Sequence, residues 1–194
     1  MKIERRTFAL DSVKIERLDD ETPVIRGHAA VFNHLSEDLG GFREQISPGA
    51  FADALSESQD VRALFNHDPS LILGRNRSGT LRLKEDKEGL AVEIDPPDTQ
   101  YARDLVVSMD RGDVSQMSFG FRVRRGGQRL EKTKDGQIIR TLTNVNLFDV
   151  CPVTYPAYPD TDVALRSVQD WQASLYNPTQ HNLRRLRLEL EELR

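Results

Sequence analysis

Gln116-Met117-Ser118-Phe119-Gly120-Phe121-Arg122-Val123-Arg124 alternates bulky apolar residues with polar or small ones at a period of two. That period is the mark of a strand with one buried face. Phe119, Phe121 and Val123 share the face, and Ser118, at the strand's start, points to the opposite side. Gly120 lets other groups come close to the backbone there. A small hydroxyl in such a place can serve as a nucleophile. It can equally be a strand-edge serine bonded to a backbone partner, the commoner use, and the stretch alone leaves both open. Ser115, nearer the Gly112 turn where serines often make local backbone bonds, is the second candidate.

Working outward, the stretch is preceded by a helical pattern at about 100–110, with Tyr101, Leu105 and Met109 on one face and Gly112 as its stop. Pro96-Pro97-Asp98-Thr99 supplies that helix with caps. It is followed by strands flanking Lys134-Asp135-Gly136, where Asp-Gly signals a hairpin, and by a further strand, Asn146-Leu147-Phe148-Asp149-Val150. Upstream, loose alternation over residues 2–18 predicts one or two strands. Val24 to Phe32 predicts another, with Gly27 at a bulge or close backbone contact. Ser47-Pro48 reads as a helix start, serine as cap and proline at the first helical position. Val61 to Asp68 runs as a strand into a polar corner, and residues 78–84 and 89–95 pair as a hairpin. Many short strands with two interrupting helices predict a β-barrel or sandwich with helices outside.

The 194 residues fit one domain with a sizeable core plus an appendage. A net charge of −4 argues against general nucleic-acid binding. A lone cysteine, Cys151, excludes an internal disulfide and a cysteine-rich zinc site. No apolar run approaches the roughly 20 residues that span a bilayer, and the charged start lacks the apolar core of a secretion signal. After residue 167 the character changes. Residues 1–167 are expected to form the functional domain, and 168–194 a linker and helical tail with a short leucine seam (Leu183, Leu186, Leu190, Leu193).

Two further residues carry chemistry. His67, in Phe65-Asn66-His67-Asp68, stands where apolar chain gives way to polar. Its imidazole can take a proton from a serine and return it to a leaving amine, although a lone histidine is more often a surface residue. Asp149 sits within an apolar strand, and a buried carboxylate is costly unless paired. By alternation it opposes both Phe148 and Val150. It could orient an imidazole, face water or cap a turn. His28 and His34 could join His67 around a metal, but there is no His-Glu-x-x-His helix and no compact Cys/His cluster, so neither metal nor cofactor is expected. Cys151, followed by Pro152, reads as a small buried residue rather than a nucleophile.

In this order the chain resembles the prohead proteases of tailed bacteriophages. The resemblance rests on Ile25 to Asn33, Glu44 to Phe51, Val61 to Asp68 with Leu73-Gly74-Arg75, Gly79-Thr80-Leu81, Gly112 to Phe121, and Val150 to Pro159. It covers roughly residues 3–166 and leaves out the tail. That family is similar to the herpesvirus maturational protease, which implies a mainly β fold: a closed β-barrel of short, mostly antiparallel strands with helices packed outside. It implies a serine endopeptidase with His67 as general base and Ser118 as nucleophile. At the acid position before Pro-Ala-Tyr-Pro, where the family often has Glu, this chain carries the shorter Asp149. The implied partners are the scaffolding and major capsid proteins and the protease itself as substrates, with self-association possible and neither nucleic acid nor membrane. The implied place is the assembling prohead in the host-cell cytoplasm. A non-catalytic assembly protein on the same fold is the competing class, and a metal hydrolase using His67 and Asp68 a third.

Overall fold

The computed structural model describes residues 3–8, 13–17, 22–155 and 161–176. Strands dominate. In chain order they are β1 (Glu4–Phe8), β2 (Val13–Arg17), β3 (Pro23–Val31), β4 (Arg43–Ile46), β5 (Arg62–Phe65), β6 (Asp68–Arg75), β7 (Leu81–Glu85) and β8 (Gly89–Ile94). After them come β9 (Gln116–Val123), β10 (Gln128–Lys132), β11 (Ile138–Leu142) and β12 (Val145–Val153). Helix α1 (Ala52–Ser56) lies between β4 and β5, α2 (Gln100–Asp110) between β8 and β9, and α3 (Thr161–Tyr176) follows β12.

The strands make three sheets: β1-β9-β12-β5-β6, β2-β3-β8-β7 and β10-β11-β4. Pairing is antiparallel except at β12–β5 and β11–β4. The mainly β architecture with few helices agrees with the sequence reading; among the described residues no sheet closes on itself. One core is shared by the two larger sheets. Met117, Phe119 and Phe121 of β9, with Leu147 and Val150 of β12, meet Ile25 of β3 and Leu90, Val92 and Ile94 of β8. The ring of Phe119 stacks on Phe121 at 5.0 Å and takes Phe51 edge-on at 5.5 Å. Each such buried ring stabilises the fold by about 2–3 kcal/mol. That burial fixes which way β9 faces, and so puts Ser118 on the side away from the core.

Several local expectations change in the fold. Helix α1 starts at Ala52, later than Ser47-Pro48 implied, because Ser47 is used elsewhere: its N–H and hydroxyl both donate to the Leu142 carbonyl. The turn leading into the helix is capped across the fold instead, where the Glu85 carboxylate accepts from the N–H of Gly49 and of Phe51 (3.1 and 2.8 Å). A local cap lost to a long-range partner leaves no trace in sequence spacing. Thr99 takes the N-cap position of α2, but its hydroxyl makes no capping bond. Gly27 pairs in register with Val92, and the bulge of β3 falls between His28 and Ala30. The hairpins over β7–β8 and around Asp135-Gly136 form as the turn residues indicate.

The expected boundary at residue 167/168 runs through the middle of α3. Val168 is buried with Ala164 against Leu39, Phe42 and Ile138, and Trp171 packs beside them. The packed unit therefore reaches at least Trp171. The linker at 177–180 and the leucine seam of the tail lie outside the described residues.

Beneath β1 lies a group of buried charges. The Arg6 guanidinium bonds Glu44 at 2.7 Å and Glu4 at 3.0 Å, and Arg140 bonds both carboxylates at 2.7 Å. All four side chains are at most 5% exposed. Buried ions are tolerated only when paired and fully hydrogen-bonded. Burial alone would lower the pKa of Arg140, but Glu4 and Glu44 outweigh it and the pKa is raised. This group joins β1 to β4 and β11.

Candidate active site

β5 and β6 are joined by a two-residue turn, Asn66-His67, with Phe65 and Asp68 as the closing pair. Both turn residues have positive φ, 54° and 58°. That conformation matches the right-handed twist of a tight hairpin and is uncommon for non-glycine residues, although asparagine and histidine adopt it more readily than most. Asn66 fastens the turn to the end of β12: its N–H donates to the Pro152 carbonyl (3.0 Å), and its Oδ1 accepts from the Thr154 N–H (2.9 Å). Strain of this kind persists where surrounding bonds over-determine it, and it gathers at functional sites. Here it turns the His67 ring back over the sheet.

The ring lies between Ser118 and Asp149. His67 Nε2 is 2.8 Å from Ser118 Oγ, and Nδ1 is 2.5 Å from Asp149 Oδ1. The side chains of His67 and Asp149 are 7% and 13% exposed, and Ser118 is wholly buried. An ionised carboxylate only accepts, so Nδ1 carries the hydrogen, and in the neutral ring Nε2 is left as the acceptor for the serine hydroxyl. A second acceptor competes for that hydroxyl, the backbone carbonyl of Arg6 in β1, at 2.9 Å. Residues 82 and 51 positions apart in the chain thus meet in one line of hydrogen bonds. A nucleophile, a base and a group that orients the base is the arrangement used for acyl transfer.

A family model described as the caudovirus prohead serine protease matches residues 10–174. The chain belongs to the caudovirus prohead serine protease family. The protease is 30% identical over 180 residues to the prohead protease of Enterobacteria phage HK97, a match covering 86% of this chain and 75% of that protein. Its fold is similar to the solved capsid assembly protease of bacteriophage T4, with a TM-score of 0.51 at 11% identity. That match covers 78% of this chain and 97% of the other. Its function is that of a phage prohead maturation protease.

Asp149 reaches His67 despite its short side chain because β9 makes room. A Cβ built on Gly120 would lie 2.5 Å from Asp149 Oδ2, so any other residue there would displace the carboxylate. The close approach expected at this glycine is that of Asp149. Strict alternation, which opposed Asp149 to Phe148, fails, because β12 carries a bulge between Leu147 and Asp149. Phe148 instead stacks under the guanidinium of Arg122, which lies on the Ser118 side of β9 (5.3 Å). Val150 remains opposed to Asp149, in the core.

The protease brings together Ser118, His67 and Asp149, and adds Cys151, whose Sγ is 3.2 Å from both Asp149 Oδ1 and His67 Nδ1. Burial first, then the Asp149 charge, pushes the thiol far above its ordinary pKa, so it is no thiolate nucleophile. The ligand atoms of His67, Asp149 and Cys151 lie within 4.8 Å of one another. A tetrahedral zinc with bonds of about 2.0–2.3 Å would hold its ligands more than 3 Å apart. The 2.5 Å between Nδ1 and Oδ1 is a hydrogen bond with no room for an ion.

Ser115 precedes β9 and has no hydrogen bond to His67; Ser118 does. His28 bonds Asp86 at 2.9 Å on the four-stranded sheet, away from His67. Three contributors were not singled out from sequence: Asn66, the Arg6 carbonyl and the Cys151 thiol. Asn66 carried a signal, since after glycine asparagine is the residue that best tolerates the left-handed turn conformation. The other two become neighbours only through strand pairing.

Proposed function

We propose that the protein is a serine endopeptidase in which Ser118 is the nucleophile, His67 the general base and Asp149 the group that orients the imidazole. The observation that supports this best is the single His67 ring bonded to Ser118 Oγ on one side and Asp149 Oδ1 on the other. In the forward step the Ser118 Oγ–H proton passes to Nε2 as Oγ bonds the peptide carbonyl carbon. Nε2 then returns the proton to the departing amine as the C–N bond breaks. Water repeats the sequence on the acyl-enzyme, releasing the acid and Ser118. Asp149 keeps Nδ1 protonated and offsets the positive charge that forms on the ring.

The substrates we infer are the scaffolding and major capsid proteins and the protease itself, cleaved within the assembling prohead in the host cell. The names of its relatives support that setting. Ser118 is enclosed by the His67 ring and the Arg6 carbonyl, so a peptide carbonyl reaches it only after β1 or the Asn66–His67 turn yields. That enclosure agrees with an enzyme held inactive before assembly. For the tail beyond α3, the proposal is targeting to the scaffold and release by self-cleavage at the 177–180 linker, past the part of the helix that packs on the fold. For the architecture, we infer that the two larger sheets are arcs of one barrel, an inference supported by the core they share.

The test is intact-mass analysis of wild type and Ser118→Ala, each co-expressed with its capsid and scaffold proteins. Trimmed partners with wild type and full-length partners with the variant are expected. Trimming by both would move the nucleophile elsewhere, with Ser115 next in line. Trimming by neither would leave a non-catalytic assembly protein or a missing activator as the two readings.

A further inference from the structure

Cys151 stands directly opposite Ser118 in the β9–β12 register. It is wholly buried, and Leu64 and Val153 form an apolar cluster around it. Its polar neighbours include the two side chains behind the nucleophile, Asp149 Oδ1 at 3.2 Å and His67 Nδ1 at 3.2 Å, and backbone groups of His67 and Leu64 also hydrogen-bond to the sulfur. Because burial and the adjacent Asp149 charge keep the thiol protonated, Cys151 has an S–H to donate. Asp149 Oδ1 is the acceptor within reach, and that same oxygen receives the Nδ1–H of His67. The other oxygen, Oδ2, is the one fitted over Gly120. The carboxylate is therefore held on each side, one oxygen by two donors and the other by a glycine-sized space.

We propose that Cys151 is a positioning residue for this reaction: its S–H···Oδ1 hydrogen bond fixes the Asp149 rotamer that aims Oδ1 at His67 Nδ1. The inference rests on the reading of Ser118, His67 and Asp149 as catalytic. A thiol suits the task for a physical reason. It is a weaker donor than a hydroxyl, so it orients the carboxylate while leaving most of the negative charge to act on the imidazole. It also fills more of the apolar gap beside Leu64 and Val153 than a serine would.

The experiment follows the pH dependence of Ser118 acylation by a fluorophosphonate probe, with the site of labelling read by mass, in full-length wild type, Cys151→Ala and Cys151→Ser. Removing the donor in Cys151→Ala is expected to slow acylation about tenfold, the effect of one hydrogen bond to an ionised group. The acid limb of the rate profile should move to lower pH, because a carboxylate no longer aimed at Nδ1 stabilises the imidazolium less. Cys151→Ser keeps a donor and should recover most of the rate and the original limb. An unchanged rate and limb in Cys151→Ala overturns the proposal. So does an equal loss in Ala and Ser variants with no movement of the limb, which would make the residue packing alone.

A second measurement does not depend on either variant folding. The chain has a single cysteine, so its S–H stretching band is unique. The band should lie at lower frequency in wild type than in Asp149→Asn, since a carboxylate is a stronger acceptor than an amide. Identical bands overturn the contact. Failure of the underlying reading looks different: Ser118→Ala labelled as strongly as wild type removes the catalytic assignment while the S–H band still reports the thiol's partner.

Discussion

The guanidinium of Arg6 belongs to one buried polar cluster and its backbone carbonyl to another. In the first, Glu4, Arg6, Glu44 and Arg140 pair two acids with two bases so that each carboxylate meets both guanidinium groups. Opposite charges are saturated, no proton is shared between titrating groups, and the cluster ties β1 to the three-stranded sheet. In the second, Ser118, His67, Asp149 and Cys151 form a line in which the Ser118 hydroxyl has two competing acceptors. This line sits on a turn with two left-handed residues. Saturation makes the first cluster a clamp. Unsettled protons and a strained support are what the catalysis proposed for the second would require.

The widest test of that contrast is Asp149→Asn. Without the acceptor the imidazole loses its fixed tautomer, and proteolysis should fall by about 10³–10⁴-fold. Thermal melting should move by only a few degrees. A comparable loss of fold would mean that the second cluster is also a clamp. Arg140→Met should do the reverse. It leaves Glu4 and Glu44 with Arg6 alone, and urea unfolding should report a loss of about 3–5 kcal/mol. A loss under about 1 kcal/mol would show that the buried charges do not secure β1.

Gly120→Ala tests the seam between packing and chemistry. The new methyl would meet Asp149 Oδ2 at 2.5 Å, so the carboxylate must turn away, and the rate of peptide cleavage should drop about 100-fold. Stability should fall by only about 1–3 kcal/mol. Unaltered activity would mean that Asp149 has another productive position.

The smallest effect is expected at the surface, where charges are screened. The hydrogen bond from Arg75 is the main cause that holds the Asp60 carboxyl at about 2, below its ordinary 3.8. A depressed carboxyl stabilises the fold above its unfolded pKa, and that contribution is lost as the pH falls through the folded one. Asp60→Asn should therefore melt about 2 °C lower than wild type at neutral pH, with the gap closing between about pH 4 and pH 2. A gap that persists at pH 2 would point to packing rather than charge.

Much of this site was legible in the chain because each piece obeys a local rule. Alternation in Phe119-Gly120-Phe121 gave the buried face and so the direction of Ser118. An acid within Leu147-Phe148-Asp149-Val150 is too costly to bury unpaired, and that marked Asp149. The family motifs supplied His67. The alternation argument erred where β12 bulges, since one inserted residue changes which side chains oppose each other. The start of α1 was misread because its cap is Glu85, far along the chain.

By itself the sequence determined the strand-rich composition, the side of β9 on which a nucleophile would lie, and the family to which the chain belongs, since periodicity and motif are properties of neighbouring residues. Only the tertiary structure decided that His67 lies between Ser118 and Asp149, that Gly120 leaves space for the carboxylate, and that Arg6 and Cys151 touch the site. Those contacts join residues up to 112 positions apart. They follow from strand register and from the angle of one tight turn, which burial of the whole core selects and no local stretch encodes.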